Sequence, residues 1–340
     1  MIDTLHDCFE LFQSGQDLPE TGAMQFFDAL LREEDESLLA DVLIAWNAKG
    51  TSENELFALA RIMRDRAVKV NSEHETFIDA VGTGGSKAKT FNVSTAAAFV
   101  VAGAGVPVAK HGNRAATSHS GSADVLAALG VNPAVDAAKA EECLNSIGIC
   151  FMFAPKFHSL SSVLAKVRRE LGVPTIFNNL GPLCNPANAP HQIIGVWDKN
   201  LVGKTARVLA RLGTKKSWVV HGDDGLDEIT LNGETNVAEI VGGDVSLFKI
   251  APSDFGLEAT SISGLRQNSP EESARLIKSI LSGTCPETAA INLVLINAAA
   301  PMYLAGKAPG FPDALDIART SLSSGAALGK LNELIAVTNK

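Results

Sequence analysis

The sequence predicts an α/β protein: a small all-helical N-terminal domain, then a large α/β domain with a mostly parallel central sheet. Three observations predict it. Apolar residues recur at helical spacing from residue 4 to about 70 with no strand-like run; after His74 short β-type runs alternate with helical segments; and two glycine-rich turns fall where such runs end. Alternation of this kind is the mark of βαβ crossovers, and ligands of such sheets bind outside the carboxyl ends of the strands. The expected boundaries are 1–72 for the helical domain and 73–340 for the α/β domain, with part of 160–190 packing on the former. A chain of 340 residues can bury a substantial core in one large or two unequal domains.

In the helical part the recurring residues are Leu5, Phe9, Leu11 and Phe12; Phe26, Phe27, Leu30 and Leu31; Leu38, Leu39, Val42, Leu43 and Trp46; then Leu56, Leu59 and Ile62. They make four helices. Gly50 closes the third, and Ser52 with Glu55 forms a capping box that opens the fourth. The charged run 32–37 is read as a solvated connection. Candidate strands follow at 77–81, 106–109, 149–153, 193–196, 218–220 and 238–240. Between the third and fourth of these, the stretch 174–186 carries Pro174, Pro182 and Pro186, which predict a rigid loop, neither helix nor central strand. Beyond residue 250 the chain reads as helices and peripheral strands, with Ser269-Pro-Glu-Glu272 opening a helix.

Composition narrows the function. With 46% hydrophobic and 20% charged residues the chain is globular, not disordered. A net charge of −9 and a pI near 5.3 leave no general basic surface, which disfavours nucleic acid and anionic membranes; local basic residues then serve a local anion. Five cysteines with no CxxC spacing suggest neither a disulfide framework nor a zinc site, and a reducing cytoplasm is the expected home. The opening MIDTLHDCFELF lacks the cationic start of a secretion signal, and the nearly apolar stretch 96–109 is too short to span a bilayer.

The chemistry concentrates in three loops. The first, Gly82-Thr83-Gly84-Gly85-Ser86, is followed by Thr90, Asn92, Ser94 and Thr95; glycines let the main chain approach an anion, and the hydroxyls are placed to cap a helix beginning near Ser94 or Thr95. The second, Lys110-His111-Gly112-Asn113-Arg114, leads through Thr117, Ser118 and Ser120 to a helix start at Ser122. Two anion-friendly loops joined by a buried crossover imply a ligand with more than one phosphate. The third loop holds Asp223, Asp224, Asp227 and Glu228, four carboxylates in six positions. Solvation relieves such crowding; facing two phosphate loops, a bridging divalent cation does so as well.

The ordered set GTGG, TFNVST, KHGNR and GSADVLAALG resembles the anthranilate phosphoribosyltransferase family, of the nucleoside phosphorylase/phosphoribosyltransferase fold, and the likeness continues through VRRELG and TIFNNLGPLCNP over nearly the whole chain. The resemblance implies transfer of phosphoribose from 5-phospho-α-D-ribose 1-diphosphate to the amine of anthranilate, in tryptophan biosynthesis, with Mg2+ as cofactor and a homodimer formed through the helical domain. It implies a phosphoribosyl-diphosphate site at Gly82, Gly85, Ser86, Thr90, Asn92, Val93, Ser94, Thr95, Lys110, His111, Gly112, Asn113, Arg114, Ala115, Ala116, Thr117, Ser118 and Ser122. Anthranilate falls to Gly82, Asn113, His158 and Arg168, with Arg168 on its carboxylate; the metal falls to Ser94, Asp227 and Glu228. No side chain is implied as a nucleophile: Lys110, Asp227 and Glu228 act electrostatically. The chain departs from the family at Ser86, where an Asp is usual, and in HSLSS (158–162), where HPAMK is common. Two other readings remain: a related transferase or phosphorylase with another acceptor, and a non-catalytic nucleic-acid-binding relative, which should be basic and lack the acidic pair or KHGN.

Overall fold

The computed structural model describes residues 4–84, 88, 90–114 and 120–340. Four helices come first: α1 (Leu5–Gln13), α2 (Ala23–Arg32), α3 (Glu36–Lys49) and α4 (Glu53–Arg66). Gly50 ends α3 at φ 82°, and the Ser52–Glu55 capping box starts α4. The α/β part then runs β1 (Ile78–Gly82), α5 (Val93–Gly103), β2 (Val108–Gly112), α6 (Ser122–Ala128), α7 (Ala137–Ile147), β3 (Ile149–Phe153), α8 (Ala154–Phe157), α9 (Ser162–Leu171), α10 (Ile176–Leu183), β4 (His191–Gly195), α11 (Leu201–Arg211), β5 (Lys216–Gly222), β6 (Thr235–Val241), β7 (Asp244–Ile250), α12 (Pro270–Leu281), α13 (Thr288–Leu304), α14 (Phe311–Ser323) and α15 (Ala326–Thr338).

One sheet holds all seven strands in the order β3-β2-β1-β4-β5-β6-β7; the first five are parallel and the last two antiparallel. The mostly parallel sheet is as expected. β7 was not: most of its side chains are exposed or half-buried, with Ile250 alone buried, and its apolar residues are broken by Ser246 and Lys249. Its signal was the turn, Gly242-Gly243, both at positive φ, which closes a two-residue hairpin between Val241 and Asp244. No strand follows β7 among the described residues; the rest is helical.

Alternation along the strands splits the interior in two. Ile193, Trp218 and Val220 face a core shared with α5 and α13, whereas Ile194, Val196 and Val219 face a second core shared with α1 to α4, α9, α10 and α11. α13 is buried on nearly all sides because it touches α5, α14 and β4 at once.

The prolines of 174–186 do not prevent a helix. α10 places Pro182 in the last turn of eight residues, where the missing N–H costs one bond, and its carbonyl ends are taken up from outside: Gln192 Nε2 donates to Pro182 O at 3.2 Å and Arg64 Nε to Leu183 O at 2.6 Å. Among the described residues no helix is long and apolar enough to cross a membrane.

Candidate functional site

A cavity of about 280 Å³ opens at the carboxyl ends of β1 and β2, with the loop after β5 on one side and α9 and α10 on the other. β1 and β2 share only one paired position, Ile78 with Val108. Beyond it, side chains span the gap. Lys110 Nζ donates to Ala80 O at 2.6 Å and to Ser94 Oγ at 3.2 Å; His111 N donates to Asp79 Oδ1 at 3.2 Å; Asn185 Nδ2 donates to Asp79 Oδ2 at 2.7 Å and to Ala109 O at 2.9 Å. Asp79 and Lys110 are both buried. Burial pushes the Asp79 carboxyl up to about 6, with Lys110 pulling it back, and pushes the Lys110 ammonium below its usual value, with Asp79 and Glu228 opposing.

The acidic loop divides its four carboxylates. Asp223 is held by Asn236 Nδ2 at 2.6 Å and Lys249 Nζ at 2.9 Å, and Asp224 accepts from Thr230 Oγ1 at 2.7 Å. Asp227 and Glu228 line the cavity. Asp227 Oδ2 accepts from Gly84 N at 3.0 Å, and Glu228 Oε1 accepts from Ser94 N at 3.2 Å. Two glycines make room for this loop: a Cβ on Gly82 would meet Asp227 Oδ2 at 2.9 Å, and one on Gly195 would collide with the Asp227 carbonyl. Gly82 thus admits a carboxylate besides leaving its own main chain open. Burial, and then the charge of Asp227, push the Glu228 carboxyl up to about 8; its Oε2 is buried with no hydrogen-bond partner among the described residues.

Asn92, at the head of α5, is fixed by three hydroxyl contacts: its Oδ1 accepts from Ser120 Oγ at 2.8 Å and Ser273 Oγ at 3.0 Å, while its N–H donates to Ser273 Oγ at 3.1 Å. Among the described residues the expected hydroxyl caps are absent: Asn92 is the N-cap, Ser94 Oγ faces Lys110, and Thr95 Oγ1 is buried with no hydrogen-bond partner. Ser94 is the second residue of the helix, past the cap position, and its Oγ accepts from Lys110.

The opposite wall is aromatic and cationic. Arg168, from α9, lies 4.4 Å from the centre of the Phe177 ring, and its Nε is buried with no hydrogen-bond partner among the described residues. Burial lowers the guanidinium to about 10, so it stays charged at neutral pH. His111 and His158 meet edge to face at 5.1 Å, each with a buried Nε2 lacking a hydrogen-bond partner among the described residues. Burial is the main cause that takes His111 down to about 3 and His158 to about 4, so both are neutral.

Gly82, Thr90, Asn92, Ser94, Lys110, His111, Gly112, Asn113, Arg114, Ser122, Arg168, Asp227 and Glu228 all line this one cavity. Val93 and Thr95 do not; they sit on the buried side of α5, 0% and 1% exposed, and helical periodicity could have separated them from Ser94. His158 does not line it either, standing behind His111. Gly85, Ser86, Ala115, Ala116, Thr117 and Ser118 lie outside the described residues. Asp79, Phe177, Asn178 and Gln267 were missed: Asp79 works one layer below the surface, and the others reach the cavity from distant chain positions.

An anion cradle, an acidic pair and a buried arginine in one cavity at the strand ends of a βαβ sheet define a transferase of phosphorylated sugars, and residues 74–328 match the model of the glycosyl transferase family, a/b domain. Among curated relatives, the anthranilate phosphoribosyltransferase of Pelotomaculum thermopropionicum is 44% identical over 326 residues, 96% of this chain and 94% of that one. The crystal structure of the Thermus thermophilus enzyme of that name superposes with a TM-score of 0.89 at 37% identity, covering 98% of this chain and 99% of the other. The Saccharomyces cerevisiae enzyme, solved in complex with PRPP and Mg, superposes with a TM-score of 0.89 at 29% identity, covering 98% of each chain. The chain belongs to the anthranilate phosphoribosyltransferase family.

Proposed function

We propose that the protein transfers phosphoribose from 5-phospho-α-D-ribose 1-diphosphate to the amine of anthranilate. The amine nitrogen bonds to the anomeric carbon, the bond from that carbon to the diphosphate oxygen breaks, and diphosphate leaves with the electron pair; the amine then releases a proton. An aryl amine is already unprotonated near neutral pH, so departure of the polyanion from a carbon gaining positive charge is the harder step. Positioning and electrostatics supply it.

Carrying the proposal is the meeting, in one cavity, of the Asp227–Glu228 pair with the anion-friendly ends of β1 and β2, while Arg168 stands on the facing wall. The acidic pair fits a divalent cation: Glu228 Oε2 is a buried oxygen with no partner among the described residues, beside a second carboxylate and Ser94. Asp227, Glu228 and Ser94 would hold Mg2+, which neutralises a departing diphosphate when bound. The 82–84 turn and the side chains of Thr90, Asn92, Asn113 and Ser122 line the side for the phosphates, and buried Lys110 holds a positive charge beneath them. Arg168, stacked on Phe177 with an Nε that has no partner among the described residues, offers a charge-assisted contact to the anthranilate carboxylate. Gly82 and Asn113 border the space for the acceptor. His158 supports it from behind, through His111.

We further propose a homodimer, with residues 1–72 as the unit that meets its copy; exposed Met24 and Ile44, 46% and 50% accessible on α2 and α3, support that face. Five free cysteines, four of them buried, fit a cytoplasmic enzyme.

The direct test follows anthranilate fluorescence with phosphoribosyl diphosphate and Mg2+. Consumption that requires both is expected. Fluorescence that stays constant in the complete mixture would remove the proposal.

A further inference from the structure

α13 is apolar almost throughout, and Asn297 is the one polar side chain among its buried residues. It does not line the 280 Å³ cavity. Its amide is instead spent on one residue of the acidic loop: Asn297 Oδ1 accepts from Ile229 N at 3.0 Å, and Nδ2 donates to Ile229 O at 2.9 Å and to Leu293 O at 2.9 Å. Ile229 follows Glu228 directly, so both main-chain groups of the residue after the acidic pair are gripped by a single side chain from a helix 68 positions away. The Leu293 carbonyl fixes the amide's orientation, leaving Oδ1 no choice but the Ile229 N–H.

Other ties hold the rest of the loop. Leu226 N donates to Asp224 Oδ1 at 3.2 Å and Thr230 N to Thr235 Oγ1 at 3.0 Å, both within the loop or its own hairpin. The Asn297 clamp joins the loop to α13, which packs on β4 and α5. α5 carries Ser94, whose N–H meets Glu228 Oε1. Behind the pair lies a second space of about 20 Å³, bordered by Asn297, Glu228, Asp227 and Ser94, into which the loop would relax if unclamped.

We propose that Asn297 is a positioning residue that sets the reach of Asp227 and Glu228 toward a cation-bound diphosphate, acting through the Ile229 backbone. This rests on the proposed function, and its test separates the two. With the full-length protein and phosphoribosyl diphosphate but no anthranilate, Mn2+ binding is followed by electron paramagnetic resonance; in turnover, the Mg2+ concentration for half-maximal rate and the anthranilate KM are measured. Asn297→Leu keeps the branched shape without an amide. It should weaken Mn2+ binding at least tenfold and raise the Mg2+ requirement by a similar factor, with the anthranilate KM within twofold of wild type. Asn297→Ala, which admits water to the Ile229 groups, should show the same pattern more weakly and is read alone if the leucine variant does not fold. Leu304→Ala, at the far end of α13, should leave Mn2+ affinity unchanged. Mn2+ affinity within twofold of wild type in the Asn297 variants, or an equal loss in Leu304→Ala, overturns the inference. Failure of the wild type itself to bind Mn2+ with phosphoribosyl diphosphate removes the functional reading, and the inference with it.

Discussion

The two walls of the cavity are built on opposite principles. On the sheet side, acids and a base are packed together: Asp79 and Lys110 are buried, Asp227 and Glu228 half-buried, and most of their oxygens and the Lys110 ammonium have protein partners. On the helical side, Arg168 Nε, His111 Nε2 and His158 Nε2 are buried with no partner among the described residues, and the contacts are ring faces. The walls also rest on different cores, α5 packing with one and α9 and α10 with the other. The first wall has most of its groups paired before any ligand arrives, Glu228 Oε2 excepted; on the second, the Arg168 Nε–H is left for what enters. A buried donor without a partner costs about 1–3 kcal/mol, and an acceptor that satisfies it recovers that cost on binding.

If the sheet wall handles the leaving group, its loss should hit turnover hardest. Glu228→Gln and Asp227→Asn are each expected to lower kcat by about 10²–10³, the size found on removing one preorganised electrostatic contact, with the Mg2+ requirement raised and the anthranilate KM nearly unchanged. Steady-state kinetics at varied Mg2+ decide this; an unchanged kcat would take the pair out of the reaction. Breaking the other wall should have a smaller and differently placed effect. Arg168→Ala should raise the anthranilate KM by one to two decades, about 1.5–3 kcal/mol for a charge-assisted contact, while the KM for phosphoribosyl diphosphate stays within a few-fold. Equal shifts in both constants would erase the division of labour.

The sheet wall was the more legible in the sequence, for a physical reason. Glycine turns, clustered hydroxyls and adjacent carboxylates are local signals, and Gly82, Ser94, Lys110, Asp227 and Glu228 were all singled out from short stretches. What those stretches could not give was direction: Thr95 has the right chemistry yet faces inward, and Ser94 serves Lys110 instead of capping α5. Asp79 reads as one more residue of an apolar strand until the missing β1–β2 pairing explains it. The helical wall is assembled across the chain. α10 itself was hidden by Pro182, because the Arg64 and Gln192 donors that satisfy its end lie about 120 positions before and 10 after. Asn297 is invisible for the same reason: its partner is a backbone 68 residues away.

The finest contrast between the walls is the sign of their response to pH. Glu228, raised to about 8 from 4.5, keeps its proton in the folded chain while the unfolded chain has lost it, so without metal it removes stability as pH rises from about 4.5 to 8. Asp79, raised to about 6, acts in the same direction over a narrower range. His158, lowered to about 4 from 6.5, does the reverse: the unfolded chain takes up a proton first, so stability falls as pH drops from 6.5 to about 4, and His111 adds to this down to about 3. Between pH 4.5 and 6.5 the two walls therefore oppose each other, each proton contributing a slope of up to about 1.4 kcal/mol per pH unit. In denaturant titrations with chelator present, Glu228→Gln should lose stability more steeply than wild type on acidification through this window. His158→Gln should lose it less steeply, or gain. Parallel profiles for the two variants would mean that neither wall carries the buried titration assigned to it.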